Sequence, residues 1–168
     1  MLGNREIVEG AVSAINLHDA ARVISFWAPD GVERFPDKTC HGSAEVGAYF
    51  QHVFDAMPDV NVAPHTIMAE GDTVFLRSVI TGTHTGGPFN GINPTGKSID
   101  IPAIDQFTIR DGLIVHNFVV FDQMEMGRQL GVLPPDGSPA YKGMLGAVNA
   151  VNAARGILAG RVHMGQRR

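Results

Sequence analysis

Apolar residues first recur at helical spacing. Over residues 4–28, Ile7, Val8, Ala11, Val12 and Ile15 fall on one face. His18-Asp19 breaks that run, and Asp19 can cap a second short helix from Ala20 to Trp27. Pro29-Asp30-Gly31 marks a turn, and Val32 to Phe35 reads as a short strand. Gly42-Ser43 offers an N-cap for a third helix, Ala44 to Met57, which Pro58-Asp59 ends. From Val60 the texture changes. Val60 to Ala69, Thr73 to His84, Ser98 to Arg110 and Leu113 to Phe121 are strand segments rich in β-branched residues. Gly71-Asp72 is a turn, Gly86 to Gly96 a loop, and Asp111-Gly112 a strong hairpin signal. Gln123 to Leu130 is a short helix that Gly131 ends. Pro134 to Pro139 reads as a linker before a tail helix from Tyr141 to Val162. Helices first and antiparallel strands after predict an α+β fold, with no alternating α/β sheet.

Composition narrows the class. The chain has 168 residues, 44% of them apolar and 18% charged, which suits one globular domain with a core and a tail. Thirteen basic residues against 17 acidic ones give a net charge of −4, and no basic stripe is present. That argues against nucleic-acid binding. Cys40 is the single cysteine, so an intrachain disulfide is impossible and a reducing compartment is the natural reading. The first residues lack the apolar stretch of a signal peptide, and no run is long enough to span a bilayer. A soluble, cytoplasmic chain is expected.

Some motifs invite chemistry that their context denies. Gly91 to Ser98 matches the phosphate-binding P-loop letter for letter, GINPTGKS. That loop needs a helix behind it, whereas Ile99, Ile101, Ala103, Asp105 and Phe107 follow at strand period. Pro94 also removes an amide from the cradle. The seven histidines form no metal-ligand spacing, and no Gly-x-Ser-x-Gly elbow occurs. Cys40 adjoins His41, but neighbours in extended chain point opposite ways. No metal and no cofactor are expected.

The last hairpin carries the polar groups of interest. A tight turn at Asp111-Gly112 pairs Arg110 with Leu113, Phe107 with His116 and Asp105 with Phe118. On that register Asp105, His116 and Asp122 share one face with Phe107, Phe118 and Val120. Val115, Asn117, Val119 and Phe121 take the other face. Two carboxyls and an imidazole on an apolar face are costly unless paired or used. Their alternative roles are plain ones: Asp122 caps the following helix and Asp105 is an edge polar residue.

The order of short motifs resembles the SnoaL-like polyketide cyclase family of the nuclear-transport-factor-2-like superfamily. The resemblance rests on Trp27-Ala-Pro-Asp-Gly31, His41-Gly42, Met57-Pro58-Asp59, Gly82-Thr-His84-Thr-Gly86 and Pro94-Thr-Gly96-Lys97. Phe107-x-Ile109-x-Asp111-Gly112-x-Ile114 and Asp122 with Gln129-Leu130-Gly131 complete it. It implies a cone, a curved antiparallel sheet closed by three N-terminal helices, over residues 1–135. Residues 136–168 would form the linker and the C-terminal helical tail. It also implies a cofactor-free intramolecular aldol step on a polyketide-like carbonyl compound, with Asp122 as general acid/base; Asp105 or His116 would then orient it or polarise the carbonyl. His116 stands where many relatives have glutamate.

Trp27, Phe35, Tyr49, Phe54, Phe107 and Phe118 are candidate wall residues for such a substrate, and Arg77 is a candidate polar contact. Two other functions compete. A limonene-type epoxide hydrolase would need an Asp-Arg-Asp set, which Val79 breaks two residues after Arg77. A non-catalytic ligand-binding or dimer module of the same fold needs nothing more than the pocket, and an outward-facing Asp122 would favour it. An apolar outer sheet face, read at Val115, Val119 and Phe121 with Ile99 and Ile104, predicts a homodimer through the sheet.

Overall fold

The computed structural model describes residues 3–165, and from 156 onward the backbone alone. Two compact units divide at Gly131 and Val132.

The first unit begins with two helices. In α1 (Asn4–Asn16) the predicted stripe is buried as Ile7, Val8, Ala11 and Val12. His18, with φ of 54°, ends the run, and its ring bonds the Val60 carbonyl oxygen at 2.8 Å. Asp19 then caps α2 (Ala20–Ile24) by accepting from the Arg22 amide. This helix stops short of the expected Trp27, which opens a strand. A third helix, α3 (Ser43–Ala56), follows Gly42, whose φ of 82° suits glycine.

The strands form one six-stranded, curved, unclosed sheet. They are β1 (Trp27–Arg34), β2 (Thr39–His41), β3 (Asn61–Glu70), β4 (Thr73–Thr83), β5 (Ser98–Arg110) and β6 (Leu113–Phe121). Their order is β2-β1-β6-β5-β4-β3. All neighbours are antiparallel except β1 and β6, which run parallel. The Pro29-Asp30-Gly31 turn of the sequence reading lies inside β1, as a register shift between Trp27 and Val32. β2 had no signal in the sequence.

The β5–β6 hairpin corrects the expected register. Arg110 pairs with Leu113 and Ile109 with Ile114, as a tight turn requires. The register then shifts by one, so Thr108 pairs with His116, Phe107 with Asn117 and Asp105 with Val119. The extra residue is Val115, a β-bulge. One inserted residue moves every later side chain of β6 to the other face. Asn117 and Val119 therefore face the core with Asp105 and Phe107, while His116, Phe118 and Val120 face outward.

Helices α1 to α3 lie over the inner face. The short helix α4 (Gln123–Gln129) packs by β5, where Gln129 accepts from the Asp100 amide. Gly91 to Ser98 leads directly into β5, with no helix behind it. The second unit contains α5 (Pro139–Gly165), which starts at the expected linker and runs past Val162. Among the described residues no helix is long and apolar enough to cross a membrane.

Candidate functional site

Between the sheet and the helices lies a cavity of about 120 Å³. Its wall is almost wholly apolar: Ala11, Val12 and Ile15 from α1, Tyr49, Phe50 and Val53 from α3, and inward residues of β4 to β6. Phe35 stacks on Tyr49 with ring centres 3.8 Å apart. Phe89, buried, reaches in from the loop between β4 and β5. That loop is tied down by Asn90, which donates to Asp37 Oδ2 at 2.9 Å, while the Tyr49 hydroxyl donates to Asp37 Oδ1 at 3.3 Å.

Four short polar side chains interrupt this lining: Glu33, Ser78, Asp105 and Asn117. Strand pairing brings three of them together. Glu33 of β1 lies beside Asn117 of β6, and Asp105 of β5 is one step along from Asn117's partner Phe107. Asn117 Nδ2 donates to Glu33 Oε1 at 2.9 Å and to Asp105 Oδ1 at 3.0 Å. Both amide hydrogens are thus spent on carboxyl oxygens. Its own Oδ1 and Ser78 Oγ are buried with no hydrogen-bond partner. Among the described residues no lysine, arginine or histidine lines the cavity.

This arrangement sets the electrostatics. Burial pushes the Glu33 carboxyl well above the usual carboxylate range, and the charge of Asp105 adds to it; the Asn117 bond opposes both. Burial likewise pushes Asp105 up to about 6, against the same Asn117 bond. Two carboxyls with one amide between them and no cation nearby cannot both ionise cheaply. At neutral pH such a pair can offer a base and a protonated acid in one apolar chamber.

The predicted site residues separate into two groups. Asp105, Trp27, Phe35, Tyr49 and Phe107 line the cavity. Phe54 is buried but lies behind the wall, with Phe50 and His18 rings beside it. Arg77, His116 and Phe118 lie outside, exposed on the far face of the sheet, where the Arg34 guanidinium sits 5.1 Å from the Phe118 ring centre. Asp122 is exposed too. Its Oδ1 accepts from the Glu125 amide at 2.9 Å and caps α4, which is the plainer role the sequence allowed. Sequence reasoning missed Glu33, Asn117 and Ser78. Glu33 has the parity of Phe35 within the Val32 to Phe35 segment that reads as a strand, and that was its one available signal. Among the described residues no three His, Cys, Asp or Glu side chains are grouped as metal ligands.

No curated protein matches the chain. Solved structures do. AclR of Streptomyces galilaeus, a candidate hydroxylase, is 30% identical with a TM-score of 0.68; the match covers 78% of this chain and 97% of AclR. IdmH of Streptomyces antibioticus, a candidate polyketide cyclase, is 26% identical with a TM-score of 0.66, over 77% of this chain and 99% of IdmH. A SnoaL-like protein of Jannaschia shares the fold at 22% identity, with a TM-score of 0.70, over 78% of this chain and 93% of its own. The helices over a curved sheet, the apolar cavity between them and these likenesses agree with the family model for SnoaL-like polyketide cyclases, which matches residues 5–130, and the chain belongs to that family.

Proposed function

We propose that this protein carries out a cyclase-type acid/base reaction on a polyketide-like carbonyl compound, with Asp105 as the general acid/base. The supporting observation is the half-buried Asp105 carboxyl in an apolar cavity, with its proton affinity raised to about 6. A base is most effective when its pKa lies near the working pH. In an aldol closure Asp105 takes a proton from the carbon next to one carbonyl. The freed electron pair attacks the carbon of a second carbonyl, whose oxygen becomes an alkoxide. Asp105 returns its proton there, so atoms and charge balance. The wall holds the flexible chain folded, and such orientation is worth roughly 7–11 kcal/mol at best. The family match and the likeness to IdmH support this class of substrate.

Asp122 takes no part in this scheme. Its outward position favours a second reading, in which the cavity binds a ligand without turning it over. One experiment separates the two. An aryl ketone, 2-acetylnaphthalene, is incubated with the protein in deuterated water, and deuterium uptake next to its carbonyl is followed. The enzyme reading expects faster uptake than in buffer, falling about 10²–10⁴-fold in Asp105→Asn, with Asp122→Asn near wild type. Binding of the ketone without any gain in exchange rate supports the second reading.

A further inference from the structure

We propose that Glu33 is a second working carboxyl of the cavity: it donates a hydrogen bond to the substrate's carbonyl oxygen while Asp105 moves the proton. This rests on the reading of Asp105 as acid/base and names the group that polarises the carbonyl for it.

Four observations carry it. Glu33 is only 1% exposed yet is among the residues that line the cavity, so it sits at the cavity wall and away from bulk water. Asn117 holds Glu33 and Asp105 by its two amide hydrogens, which fixes them as neighbours without supplying charge. The charge that acts on the buried Glu33 carboxyl is that of Asp105 from β5, and among the described residues no lysine, arginine or histidine lines the cavity. Finally, Asn117 Oδ1 and Ser78 Oγ beside them have no protein partner. A buried charge without a counter-charge is neutralised by keeping its proton. Of the two carboxyls Glu33 is the deeper, so it is the one that keeps it.

A neutral carboxyl is a short, strong hydrogen-bond donor. Aimed at a carbonyl oxygen in an apolar chamber, it stabilises the negative charge that develops as the neighbouring C–H bond breaks. The C–H pair moves into the forming carbon–carbon double bond, the carbonyl π pair moves to oxygen, and the proton goes to Asp105. Glu33 keeps its own proton throughout, so no further donor or acceptor is needed. The two unpartnered oxygens, Asn117 Oδ1 and Ser78 Oγ, are acceptors for hydroxyl groups elsewhere on the ligand.

The test uses the full chain with 13C-labelled glutamate and aspartate side chains. In wild type one glutamate carboxyl should remain protonated at pH 7 by 13C chemical shift, and its signal should vanish in Glu33→Gln. The Asp105 titration should stay near its wild-type pH in that variant, because a neutral amide replaces a carboxyl that is already neutral. Bound 2-acetylnaphthalene should show its carbonyl stretch lowered in wild type and less lowered in Glu33→Gln. Deuterium exchange should fall about 10²-fold, the usual loss when one such donor is removed. If every glutamate is ionised at pH 7, or if the carbonyl stretch is the same in Glu33→Gln as in wild type, the inference is overturned. Should Glu33→Gln not fold, the wild-type glutamate titration decides alone. Exchange that depends on Asp105 but not on Glu33 leaves the proposed function standing and removes this inference. A protonated Glu33 and a lowered carbonyl stretch without exchange do the reverse.

Discussion

Asp105 shows how a buried carboxyl weakens the fold that holds it. Its carboxyl is pushed from the ordinary range near 4 up to about 6 by burial. Between those two values the folded chain holds a proton that the unfolded chain has released. Stability from this group is therefore full below the unfolded value and is lost as pH rises through about 6. Two units correspond to about 3 kcal/mol at most. Glu33 acts with the same sign, since its carboxyl is also raised. Asp59 acts oppositely: bonds from the Thr83 hydroxyl and amide lower it, so its contribution is lost on acidification. We expect urea midpoints to fall between about pH 4 and about pH 7, and Asp105→Asn to flatten that fall and to be more stable than wild type at the upper end. The amide oxygen of the variant still accepts from Asn117, so the comparison isolates charge. A midpoint that rises with pH in wild type would contradict the arrangement described here.

Elements are placed by a few polar clips as well as by their apolar stripes. At the end of α1, Asn16 imitates a strand neighbour. Its Oδ1 accepts from the Val62 amide at 2.7 Å and its Nδ2 donates to the Val62 carbonyl at 2.9 Å. That pair joins the helix bearing Ala11, Val12 and Ile15 to the edge strand β3, and so fixes one wall of the cavity. Asn16→Ala removes both bonds at a half-buried position. It should cost about 1–3 kcal/mol in chemical unfolding and loosen ketone binding, while Asn16→Asp should keep part of both. Elements of this kind were readable where the cause is local. The Asp111-Gly112 turn has φ of 51° and 78°, as the hairpin signal implies, and β6 has the expected ends. Its facing was not readable, because the bulge at Val115 depends on how the strand meets β5 and carries no residue signature. One missed residue sent His116 and Phe118 into the imagined pocket and left Asn117 out of it. Glu33 was missed for a related reason: its neighbour across the sheet, Asn117, lies 84 residues away in sequence.

At the scale of the molecule the outer face of the sheet calls for a partner. The corrected register clears Val119 and Phe121 from that face but puts Phe118 and Val120 there instead, beside Ile104, Phe75 and Met68. Met68, Phe75 and Phe118 lie along one cross-strand row interrupted by Gln106, with Arg77, Ile104 and Val120 in the next. Ile104 is 50% exposed and Met68 61%. So many large apolar side chains exposed together on one sheet face are uncommon on a monomer. A second copy of the same sheet would cover it by an isologous contact, the commonest form of oligomer. The tail helix α5 has an apolar stripe of its own at Met144, Leu145, Val148 and Val151, all exposed. We expect the full chain to be a homodimer at tens of micromolar by light scattering. Phe118→Glu and Ile104→Glu should each shift it to monomer, since each would bury an unpaired charge in the contact. Truncation after Pro135 should weaken the dimer and still leave ketone binding intact, because the cavity wall ends at Met126. A full-length chain that stays monomeric at those concentrations would refute the dimer and leave the band to another partner.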